Sequence, residues 1–103
     1  LSHCKFLELP PKLADHSTSS YYFFWVQTKC RDRLAQHLLE NDVYSTFRYW
    51  PLHKVESFKD SANTTLENTN FIASHTLNIP IHHSLTNENV DYIIEKILCF
   101  EFL

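Results

Sequence analysis

The chain has 103 residues, 44% of them hydrophobic, with a formal net charge of -3. It therefore has room for one domain with one core, and it lacks the basic excess of a nucleic-acid binder. No apolar run is long enough to cross a bilayer, and the absence of glycine, where ordinary usage predicts about seven, excludes a glycine-rich phosphate loop.

Cys4, Cys30 and Cys99 are odd in number and far apart, which suits reduced thiols in a cytoplasmic chain better than a disulfide framework. His82 and His83 are adjacent; neighbours on a strand point to opposite faces, and no His/Cys spacing in the chain matches a zinc site. Asn63-Thr64-Thr65 matches a glycosylation triplet but has no signal peptide beside it. Methionine is absent and the first residue is leucine, as expected of a piece of a longer protein. Residues 1–103 are read as one domain of it.

In chain order, Phe6, Leu7 and Leu9 suggest a short edge strand that Pro10-Pro11 ends. After a polar loop, Tyr21–Thr28 is the strongest strand, aromatic and β-branched with no breaker. Both of its faces are apolar, so one should pack on this domain's helices and the other asks for a further layer. Arg31–Asn41 is predicted helical, with Leu34, Leu38 and Leu39 as its apolar stripe. Asn41-Asp42 ends it, both residues tolerating the left-handed backbone that glycine usually supplies there.

Val43–Trp50 is predicted as the next strand, stopped by Pro51 and followed by His53. A strand end bearing Arg48, Tyr49 and Trp50, with an imidazole just beyond, can present polar groups to a ligand. The same residues also fit an ordinary surface around a buried aromatic pair. Six of the nine basic residues fall between Lys29 and Lys59, which is compatible with an anionic ligand and equally with solvated charge.

Val55–Ala62 reads as a charged loop anchored by Phe58. Thr64 and Glu67 fit a capping box for a helix over Thr65–Ser74, with Leu66, Ile72 and Ala73 as contacts. Leu77, Ile79 and Ile81 alternate as a short strand, which Pro80 places at an edge or an end. Thr86 caps a last helix whose Val90, Ile93, Ile94, Ile97 and Leu98 repeat at helical spacing. Glu88 and Asp91 near its start and Lys96 near its end complement its dipole. The order β, β, α, β, α, β, α, without repeats, predicts an α+β fold: a small mixed or antiparallel sheet with helices over one face.

Several motifs, in order, resemble the C-terminal domain of the DegT/DnrJ/EryC1/StrS aminotransferases. They are YYFFWV leading into Arg31-Asp32, then Arg48-Tyr49-Trp50-Pro51-Leu52-His53, Leu77-Asn78-Ile79-Pro80, and Leu85-Thr86-Asn87-Glu88-Asn89-Val90 before the isoleucine helix. The resemblance implies the small domain of a fold-type I transferase, covering an active site built by a larger N-terminal domain that binds pyridoxal 5'-phosphate, usually within a homodimer. The substrate it implies is a nucleotide-linked keto sugar. Tyr49 and His53, and less directly Arg48, become substrate contacts. Arg31 matches a recurrent position that a structural role at a helix start also explains. Where the family commonly has glycine, Asp42 precedes Val43.

None of the six lysines sits in the family's Schiff-base context, so no catalytic residue and no cofactor site is expected in this chain. Transamination requires that lysine, which holds the cofactor and then moves a proton between two carbons. The resemblance therefore implies a chain inactive alone. Two other readings remain open: a free-standing interaction module docking through its aromatic strand, and an acid–base enzyme built on His53, for which no carboxylate stands at an obvious orienting distance.

Overall fold

The computed structural model describes residues 1–61 and 65–100. Its elements run β1 (Phe24–Gln27), α1 (Arg31–Glu40), two 3-10 turns (Leu52–Lys54 and Glu56–Ser61), α2 (Glu67–His75), β2 (Thr76–Ile79) and α3 (Asn87–Leu98). β1 and β2 are antiparallel, with Val26 opposite Leu77 and Trp25 opposite Asn78. Single bridges extend this ribbon on both sides, Glu8 to Gln27 and Thr46 to Asn78. The backbone thus crosses the layer four times, as the sequence suggests, but only two crossings are strands.

The shortness of the strands has a local cause in β2. Thr46 and Asn78 exchange both backbone hydrogen bonds, at 2.9 and 3.1 Å. The next such pairs in that register would be Tyr44 with Pro80 and Arg48 with Thr76. Pro80 has no N–H to donate, and the Thr76 N–H is already bonded to the Ile72 carbonyl at the end of α2. The strand expected over Val43–Trp50 is therefore reduced to one bridge. β1 begins at Phe24, opposite Ile79, rather than at Tyr21.

Alternation along the ribbon puts Phe24, Val26, Leu77 and Ile79 on one face. Leu34 and Leu38 of α1 and Ile93 and Ile97 of α3 complete a core there with Leu7, Val43 and Phe100. Each fully buried aliphatic side chain contributes about 1.5–3 kcal/mol. The stripe expected on α1 is narrower than predicted: Leu39 is 55% exposed, because the helix turns Leu34, Leu38 and, in part, Ala35 to the core. Val90 and Leu98 of α3 and Leu66 and Ile72 beside or within α2 are also exposed, lying off the side that faces the sheet.

The helix ends follow local chemistry. α1 closes in a Schellman arrangement, with Val43 N–H to Leu38 O at 2.8 Å and Asp42 N–H to Leu39 O at 3.1 Å. Asp42 takes the left-handed conformation there, at φ 58°, and the buried Val43 follows it into the core. Thr86 caps α3, its hydroxyl accepting from Asn89 N–H at 3.2 Å while the Asn89 side chain accepts from Thr86 N–H at 3.1 Å. Side-chain bonds tie the end of α1 to α3: Tyr92 donates to Asn41 O at 3.2 Å and His37 Nε2 to Lys96 O at 2.9 Å.

Two further expectations are revised. Residues 56–61 form a 3-10 turn rather than an open loop, and Phe58 is exposed instead of anchoring it. Thr64, the predicted cap of the following helix, lies outside the described residues; α2 itself starts at Glu67, with Leu66 before it and no side-chain cap.

Candidate substrate-facing site

The site is built on the segment that leaves the core at Val43, crosses β2 at Thr46 and turns at the buried Pro51. With the ladder ended at Thr46, the next residues are not held flat in a sheet. Tyr49 and Trp50 are each 66% exposed. Lys54 Nζ lies 5.8 Å from the centre of the Trp50 ring, a cation–π contact that spans the turn at Pro51.

Arg48 stands between two clefts. The larger, of about 560 Å³, is lined among others by Tyr22, Tyr44, Asn78 and Tyr92. The smaller, of about 380 Å³, is lined by Tyr49, Trp50, Phe47, Arg31, Thr69 and Ile72. Arg48 lines both. The Tyr22 and Tyr49 hydroxyls are 3.1 Å apart, joining the entry to β1 with the segment beyond Thr46.

That contact separates the two phenols chemically. Tyr22 is held below its ordinary pKa, first by the hydrogen bond from Tyr49 and then by the nearby Arg48 charge. Tyr49 is pushed up, chiefly because its bond to Tyr22 keeps its proton in place.

The structure brings Arg48 and Tyr49 together but turns His53 elsewhere. His53 lines neither cleft. It is half-buried in the first 3-10 turn, and its Nε2 donates to Asn70 Oδ1 on α2 at 3.0 Å. This amide orients the ring, a partner that no local pattern in the sequence indicated.

Arg31 has a structural role. Its guanidinium pairs with Asp32 at 2.6 Å, donates to the Ala73 carbonyl and lies 4.7 Å over the Phe47 ring. It therefore ties α1 to α2 and to the site segment.

Sequence reasoning missed Tyr22, which pairs across 27 positions, and Asn78. The latter shares the face of Trp25, is only 4% exposed, and has both amide atoms buried without a partner among the described residues. Polarity at a position predicted to alternate with Leu77 and Ile79 was the available signal for Asn78; Tyr22 had none.

The site thus lies on an aromatic, cationic rim beyond a small sheet that carries helices on one face. Comparison with known proteins agrees on the lineage. The sequence profile of the DegT/DnrJ/EryC1/StrS aminotransferase family matches residues 1–98, and the chain belongs to that family.

A dTDP-4-dehydro-2,3,6-trideoxy-D-glucose 4-aminotransferase of Saccharopolyspora spinosa is 39% identical over 90 residues, which are 85% of this chain and 23% of that protein. The solved aminotransferase TlmJ of Streptoalloteichus hindustanus superposes with a TM-score of 0.88 at 37% identity, over 94% of this chain and 26% of the other. A DegT/DnrJ/EryC1/StrS aminotransferase of Brucella abortus gives 0.80 at 25% identity, over 90% and 26%. The chain thus spans about a quarter of the length of these relatives.

Proposed function

We propose that this chain is the C-terminal, substrate-covering domain of a cytoplasmic, homodimeric aminotransferase that uses pyridoxal 5'-phosphate and acts on a nucleotide-linked keto sugar. The observation that carries the reading is high similarity over nearly the whole chain combined with coverage of about a quarter of each relative. The exposed aromatics Tyr21, Tyr22, Tyr49 and Trp50 support it, since such a surface is suited to packing against a further layer or a bound substrate.

The residues of this chain do not fit the cofactor. Lys5, Lys12, Lys29, Lys54 and Lys59 are exposed. Lys96 is 2.9 Å from Glu95, whose hydrogen bond and charge raise its pKa. A Schiff-base lysine needs the reverse, a pKa lowered so that the free amine is available. Without glycine there is also no glycine-rich loop to cradle the cofactor's phosphate. The covalent chemistry accordingly belongs to the N-terminal part of the parent protein.

What remains for this domain is to bind and orient. Arg48 supplies a fixed positive charge, Tyr49 a hydroxyl and an aromatic face, and His53 an imidazole braced by Asn70. With Nε2 engaged by Asn70, Nδ1 is the ring atom that His53 has left for a substrate contact.

Two measurements test this. The 103-residue chain, incubated with cofactor, amino donor and keto sugar nucleotide, forms no amine, and in a separate incubation with cofactor and then borohydride it acquires no stoichiometric lysine label; turnover by the chain alone would refute the proposal. In a protein joining it to its cofactor-binding domain, Tyr49→Phe and His53→Ala lower turnover about tenfold, the size expected for losing one positioned hydrogen bond, while the melting temperature stays near that of the parent. Unchanged kinetics would remove both residues from the site.

A further inference from the structure

We propose that Arg31 is a positioning residue for the substrate-facing segment and acts through Phe47: its guanidinium clamps that ring against the start of α1 and the end of α2, and so sets where Arg48 and Tyr49 stand. The consequence for turnover rests on the aminotransferase reading above and deepens it by naming a residue that shapes the site without touching substrate. The clamp itself does not depend on that reading.

The segment needs such a support because the sheet gives it none. Pairing with β2 stops at Thr46, and the next residue, Phe47, is 51% exposed and takes no part in the core. The Arg31 guanidinium, 4.7 Å from the centre of the Phe47 ring, is the partner on which that ring rests. Two positions on, the Tyr49 hydroxyl reaches that of Tyr22 at 3.1 Å. Hydrogen bonds weaken over a few tenths of an ångström, so a displaced Phe47 carries Tyr49 out of that contact.

Arg31 is suited to holding a ring still. Its side chain is only 17% exposed; Nη2 and Nε donate to Asp32 Oδ1 at 2.6 and 2.8 Å, and Nη1 donates to the Ala73 carbonyl. These donors all lie in the guanidinium plane, so their bonds fix the plane and leave its face to the ring. Asp32 also neutralises the charge. Positioning is therefore the part left to a residue that lines the smaller cleft beside Phe47, Arg48 and Tyr49.

The same guanidinium secures α2, which has no buried residue and no side-chain cap. Its bond to Ala73 and the His53 bond to Asn70 both reach that helix from outside. Asn70, which braces His53, is thus held in place partly by Arg31.

Three variants test the clamp. Phe47→Leu removes the ring and leaves the hydrogen bonds of Arg31 intact, Arg31→Met removes charge and fork, and Arg31→Lys keeps the charge without the plane. In the 103-residue chain, tyrosinate absorbance reads the Tyr22–Tyr49 contact, because the Tyr49 hydroxyl is the first cause of the lowered Tyr22 pKa. Phe47→Leu and Arg31→Met should move that titration up toward the ordinary value, with Arg31→Lys between them and the parent.

In a protein joining the chain to its cofactor-binding domain, Phe47→Leu should lower kcat/KM about three- to tenfold, the range for losing a cation–π contact. Arg31→Met should lower it at least as far, and the double variant no further than Arg31→Met alone, because the two side chains act as one unit. In an active protein, either readout unmoved by Phe47→Leu would overturn the proposal, as would losses that multiply in the double variant.

Should Arg31→Met unfold the chain, Phe47→Leu decides by itself. A lower melting temperature with the Tyr22 titration unmoved marks a merely structural contact and overturns the positioning role. The outcomes also separate the clamp from the broader reading. A titration that responds to Phe47→Leu in a protein that aminates no sugar keeps the clamp and rejects the aminotransferase assignment. Amination indifferent to Phe47→Leu does the opposite.

Discussion

A phenol loses its proton more easily when another hydroxyl donates to the resulting oxyanion and a cation stands nearby. Tyr22 has both, from Tyr49 and Arg48. Lowering a pKa moves ionisation to lower pH, so tyrosinate absorbance should show one residue titrating below the ordinary value of about 10. Tyr49→Phe should move it back up, because the largest cause is the Tyr49 hydroxyl, and Arg48→Ala should do so less. A single titration unaffected by either change would mean that the hydroxyl pair does not form in solution.

Asn78 makes a contrasting case at the same scale. Its backbone is paired on both sides, to Trp25 and to Thr46, yet its side-chain amide is sealed without partners among the described residues. An unpaired buried amide costs about 1–3 kcal/mol. Asn78→Leu, close in volume and apolar, should therefore leave stability in urea unchanged or raise it by up to about 2 kcal/mol. A loss of more than about 1 kcal/mol would show that the amide has a partner.

Among the elements, helix ends were legible and strand lengths were not. Asn41-Asp42 and Thr86 announced their ends because capping depends on side chains and backbone only a few residues apart. Asp42 holds φ 58°, a conformation that costs an L-residue about 1–2 kcal/mol. Asp42→Gly should raise stability by up to about 1 kcal/mol after glycine's own entropy loss, readable in a denaturation midpoint; no gain would place the turn's strain elsewhere.

Strand lengths depend instead on the partner's free N–H groups. Tyr44, Thr46, Arg48 and Trp50 alternate as a strand should, but β2 offers them one donor: Pro80 has none, and that of Thr76 is committed to α2. Composition within Val43–Trp50 carries no trace of this. The resulting interruption also frees Arg48 and Tyr49 from the sheet and lets the latter reach Tyr22.

For the molecule as a whole, Leu34 and Leu38 on one helix, Ile93 and Ile97 on another, and Val26 and Leu77 on the ribbon form one continuous core. One core implies one cooperative unit. Leu34→Ala should cost about 2–5 kcal/mol, with far-ultraviolet and aromatic signals falling together in denaturant; separate transitions would indicate that the two-helix core and the 43–61 segment unfold independently.

From the residues alone came the α+β class, the three helices, the buried aliphatic positions at the centres of α1 and α3, and the family, because periodicity, capping and ordered motifs are all written in local sequence. Tertiary structure alone decided that Arg48 and Tyr49 share a rim with Tyr22, that His53 turns to Asn70, and that Leu39 faces outward. Those outcomes depend on which surfaces and hydrogen-bond donors distant segments leave open once the core has closed, and a local pattern cannot encode what its partners will have already used.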